Sequence, residues 1–77
     1  MKIFHASIYE FVPYEADILV WENYYLSSAK AEEAIAIEQA KIESNPDKWE
    51  SCLGGSSSIT IEGQTYDAIV VSVQVLE

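Results

Sequence analysis

Apolar and polar positions alternate over residues 2–12, with Phe4, Ala6 and Ile8 on one side and Ile3, His5, Ser7 and Tyr9 on the other. A period of two is the strand repeat, because successive side chains point to opposite faces of a sheet. Pro13, Tyr14, Glu15 and Ala16 break the run and predict a turn. Residues 17–26 predict a second strand, carrying Ile18, Leu19, Val20, Trp21, Tyr24 and Tyr25. The short connection makes the pair an antiparallel hairpin.

The period then changes. Ser27 and Ser28 are suited to cap a helix, residues 29–44 hold good helix formers without glycine or proline, and Asn45-Pro46 ends the run. Glu32 and Glu33 are expected near the positive end of the helix dipole. At 100° per residue, Ala31, Ala34, Ile35, Ile37 and Ile42 form one broad face, which predicts packing across a sheet. Glu38 falls near the middle of that face. A carboxylate buried alone is costly, so Glu38 is expected at the edge of the contact or paired with Lys41 or Lys48. Glu32, Gln39 and Glu43 line up on the side expected to be exposed, with Glu33 nearby.

Residues 49–58 lose periodicity, and Leu53, Gly54, Gly55 and Ser56 to Ser58 read as a loop. Residues 58–61 and 66–76 predict a second hairpin around Glu62-Gly63-Gln64. Ile69, Val71, Val73 and Val75 alternate with Ala68, Val70, Ser72 and Gln74, and Ile35 and Val71 are expected among the most buried residues. The whole chain, 1–77, reads as one α+β domain of order ββαββ: a four-stranded, mostly antiparallel sheet with one helix on one face. One helix leaves the other face of the sheet to solvent or a partner, and some of Tyr9, Trp21, Tyr24, Tyr25 and Tyr66 are expected there. A chain of 8.6 kDa should expose about 4,700 Å² when folded, and its core is marginal.

Charge narrows the function. Four lysines, no arginine and thirteen carboxylates give a net charge of −9. A negative field repels nucleic acid and anionic membranes, so neither is expected as a direct partner, and a basic protein is favoured. There is no charged-then-apolar leader and no long apolar run, which reads as cytoplasmic. The single cysteine, Cys52, cannot form an internal disulfide. Cys52 and the single histidine, His5, stand 47 positions apart without zinc-ligand spacing, no calcium-loop pattern is present, and no cation adjoins Cys52 to activate it. Gly54-Gly55 lacks the lysine and following helix of a phosphate loop. The expectation is a non-enzymatic chain with no catalytic residue, no metal and no cofactor.

Partner-binding candidates are the helix carboxylates Glu32, Glu33 and Glu43, together with the aromatics Trp21, Tyr24 and Trp49. Spaced carboxylates on a rigid scaffold can stand where nucleic-acid phosphates would lie. In size, charge and element order the chain resembles small acidic phage-encoded inhibitors of bacterial defence, the anti-CRISPR proteins among them, and the run Ser27, Ser28, Ala29, Lys30, Ala31, Glu32, Glu33 and Ala34 between strand and helix looks like a common feature of small phage and bacterial proteins. That resemblance implies an inhibitor whose acidic surface occupies the basic groove of a nucleic-acid-handling complex, and it carries over no functional residue. The alternative is a small interaction module or homodimeric accessory protein whose acidity serves solubility.

Overall fold

The computed structural model describes residues 1–52 and 55–76. Leu53 and Gly54 of the expected loop lie outside the described residues. Among the described residues the order is β1 (Lys2–Phe11), β2 (Ile18–Tyr25), α1 (Ser28–Ile42), a 3₁₀ turn (Pro46–Lys48), β3 (Glu50–Ser51), β4 (Ser57–Ile61) and β5 (Gln64–Gln74). The class is α+β, as expected. The four-stranded ββαββ expectation is corrected to one open antiparallel sheet of five strands, ordered β2-β1-β5-β4-β3. The added strand is β3, two residues paired with Ser57 and Ser58, which is too short for periodicity to reveal.

Local chemistry sets the bounds. Ser27 is the N-cap, its Oγ accepting the Lys30 N–H at 3.1 Å, as the serine pair predicted. Glu32 and Glu33 lie beyond the first turn, where the dipole is felt little. Between β4 and β5, Glu62 and Gly63 have φ of 50° and 84°, the left-handed pair of a two-residue hairpin turn. At the helix end, Asn45 Oδ1 accepts the Asp47 N–H at 3.0 Å and starts the 3₁₀ turn.

Register sorts the sheet into two faces. Phe4, Ala6 and Ile8 oppose Ser72, Val70 and Ala68 of β5 and Tyr25, Asn23 and Trp21 of β2, and α1 packs on this side. The buried cluster is Ala6, Ile8, Ala31, Ile35 and Ala68, flanked by partly buried Phe4, Trp21, Tyr25, Ile42, Trp49, Tyr66 and Val70. Three alanines at the contact let helix and sheet backbones approach closely. Two expectations fail. Ile37 is exposed on the outer side of α1, because the helix is seated on Ala31 and Ile35 and turned so that Gln39 and Glu43 are half-buried instead. Val71 is 38% exposed, because β5 turns Ala68 and Val70, not Val71, toward the helix. Glu38 behaves as predicted: its side chain is 19% exposed and ion-paired with Lys41 one turn on. No described helix is long and apolar enough to cross a membrane.

Candidate functional site

Two surfaces emerge. The first is the sheet face opposite the helix. Ile3, His5, Ser7 and Tyr9 of β1 alternate onto it, joined by Leu19, Glu22 and Tyr24 of β2 and by Asp67, Ile69, Val71 and Val73 of β5. Leu19, Tyr24, Val71 and Val73 are exposed large apolar side chains. His5 stacks on Tyr24 with ring centroids 4.6 Å apart, and its Nε2 meets Glu22 Oε2 at 2.9 Å. Carboxylates Glu22, Asp67 and Glu50 stand at register positions on this face. The one strand lysine, Lys2, alternates to the helix side, Lys30 and Lys41 belong to α1, and Lys48 lies in the 3₁₀ turn. The face is therefore an apolar strip with carboxylates set into it.

The second surface is the groove between α1 and the β4–β3 side of the sheet. Gln39 bridges it, its Nε2–H donating to Ser57 Oγ at 2.8 Å. One cleft, about 500 Å³, lies toward the helix start and is lined by Ser28, Glu32 and Ile35 with β5 residues. The other, about 410 Å³, is lined by Ala36, Ala40, Glu43, Pro46, Trp49 and Ser51. The 3₁₀ turn folds Trp49 back so that its indole N–H points at the Glu43 carbonyl, 3.5 Å away. Thus Glu32, Gln39 and Glu43 do share one side of the helix, but that side borders the groove.

The six candidates do not form one site. Glu32 and Glu33 are exposed on α1. Glu43 and Trp49 meet at the second cleft. Tyr24 lies on the open face, and Trp21 is half-buried against the core under the helix. His5 and Cys52 are not brought together: β5, β4 and β3 separate β1 from Cys52, about 14 Å at ordinary strand spacing. Cys52 is exposed, with Sγ 3.5 Å from Ser58 Oγ. Among the described residues no group of three or more His, Cys, Asp or Glu could hold a metal ion. The His5–Glu22–Tyr24 cluster escaped sequence reading because it needs the β1–β2 register, and a bulge between Ile8 and Tyr9 shifts that register partway along.

The chain exposes 5456 Å², about 750 Å² more than a folded monomer of its mass is expected to show. No protein-family model, curated protein or solved structure matches the chain.

Proposed function

We propose that this domain is a non-catalytic binding protein that docks through the open face of its sheet onto a basic protein surface. In the specific form of this reading, the target is a bacterial nucleic-acid-handling complex, and the domain inhibits it by occupying its basic groove. The observation that carries the reading is the composition of the open face: exposed Leu19, Tyr24, Val71 and Val73 supply apolar anchor area, while Glu22, Asp67 and Glu50 set its charge. A second copy of the chain is disfavoured as the occupant, because like carboxylates and a net charge of −9 would oppose each other across the contact.

The test uses the wild type and a Tyr24→Ala/Val71→Ser double variant as baits in bacterial lysate at low and high salt. Captured protein is then challenged with a nucleic-acid competitor. The proposal expects a basic partner that the double variant loses, that salt weakens, and that nucleic acid displaces. A partner held equally by both baits, or unmoved by nucleic acid, refutes the groove-occupying form. A concentration-dependent dimer in sedimentation, abolished by the double variant, would replace it with the homodimeric reading.

A further inference from the structure

Glu43 is the C-cap of α1, so its carboxylate stands at the end of the helix where unpaired carbonyls concentrate negative partial charge. That is the unfavourable end for an anion, and its neighbours compensate it little. Lys41, in the last turn, is engaged by Glu38. Lys48 comes only to 3.8 Å of Glu43 Oε1, with its own side chain 62% exposed. The Asn45 N–H also donates to Oε1, at 3.2 Å, and Oε2 has no partner among the described residues. The carboxylate is three-quarters buried, its side chain 24% exposed, and it lines the same cleft as Trp49.

Ala36, Ala40 and Pro46 give that cleft apolar wall area beside the polar Gln39, Ser44, Ser51 and Ser57, and its volume of about 410 Å³ is that of a small ligand site. An aromatic ring, a carboxylate with a free oxygen and the negative pole of a helix converge on one concavity. Each of the three favours a cation over a neutral group. Apolar walls suit a methylene stem leading to a charged head. A planar guanidinium can stack on indole and donate side by side to a carboxylate, which an ammonium cannot do. We infer that the Glu43–Trp49 cleft receives an arginine side chain of the partner protein. The inference rests on the reading that the partner is basic, and it adds a discrete specificity pocket, on a different surface from the open sheet face.

A small probe separates the two. The full chain is titrated with acetyl-arginine-methylamide while the Trp49 indole N–H, assigned against Trp49→Phe, is followed by NMR. Uncharged, isosteric acetyl-citrulline-methylamide and acetyl-lysine-methylamide serve as comparisons. The expected result is saturable shifts at Trp49, Ala40 and Ser51, with citrulline weaker than arginine by about tenfold, since one charge-assisted hydrogen bond is lost. Lysine is expected between them. Glu43→Gln should weaken arginine binding by about the same factor with an unchanged melting temperature, whereas Glu32→Gln should not. Binding by Glu43→Gln equal to wild type, equal affinity for citrulline, non-saturating shifts, or shifts scattered over all carboxylates would each overturn the inference. The Tyr24→Ala/Val71→Ser variant should titrate normally, so a failed titration leaves open-face docking standing, and lost docking leaves the cleft standing.

Discussion

Replacing Ile35 and Val71 separately by alanine weighs the two faces of the sheet against each other. Ile35 is 7% exposed and belongs to the buried cluster. Ile35→Ala removes three carbons, worth about 2.4 kcal/mol of transfer free energy, and the residual cavity brings the loss to about 3–4 kcal/mol. Val71→Ala removes two carbons from a side chain that is 38% exposed. Scaled by its buried fraction the loss is about 1 kcal/mol, with no enclosed cavity left behind. A domain of this size has roughly 4–12 kcal/mol in total, so Ile35→Ala takes a large part of the stability and Val71→Ala a minor one. In urea, with a slope of about 1 kcal/mol per molar, the midpoint should fall by about 3 M for the first and about 1 M for the second. Far-ultraviolet circular dichroism provides one readout, and fluorescence of Trp21 and Trp49 a second that tests two-state behaviour. Equal losses at the two positions, independent of protein concentration, would refute the assignment of Val71 to an uncovered face.

Other perturbations follow from single contacts. Ser27→Ala removes the acceptor of the Lys30 N–H and should cost about 1 kcal/mol in urea unfolding, while Ser27→Asp should restore most of it. Glu38→Leu exchanges a carboxylate paired with an exposed lysine for apolar area at the helix–sheet seam, and its thermal midpoint should stay level or rise. Cys52→Ser should leave both melting and partner capture unchanged, since the thiol is exposed and, among the described residues, meets only Ser58 Oγ and the Glu50 carbonyl; lost capture at an unchanged midpoint would show a role for the sulfur.

The parts of the fold legible in sequence are those fixed by local chemistry. The period-two runs became β1, β2 and β5, Ser27 capped the helix, and Glu62-Gly63 made the turn that its left-handed conformation requires. What escaped depends on distant partners. Five apolar positions averaged around α1 place Ile37 within the buried face, but the helix actually settles where small Ala6 and Ala68 admit Ala31. Val70 and Val71 are equally apolar, so nothing at those two positions says which one meets the helix. The Glu43–Trp49 cleft is half visible in sequence: both residues stand out singly, but Asn45-Pro46, at the turn that folds one onto the other, signals only a helix stop. An Asn capping its own turn through the N–H of Asp47, two residues on, is the signal that could have joined them.

The pairing of β1 with β5 has a consequence for how the chain reaches this structure. These strands run together from Lys2 opposite Gln74 to Phe11 opposite Thr65, in the middle of the sheet. The β1–β2 and β4–β5 hairpins can each close over short loops, on a timescale of microseconds. Joining them requires closure across most of the chain, an entropic cost met before any of the central ladder is rewarded. The two hairpins and the helix should therefore flicker independently until that single docking event, which makes folding all-or-none and its rate most sensitive to the residues that zip β1 to β5. Before it occurs, both β1 and β5 offer a bare edge, so the time spent ahead of docking is when the chain is most open to pairing with the wrong strand.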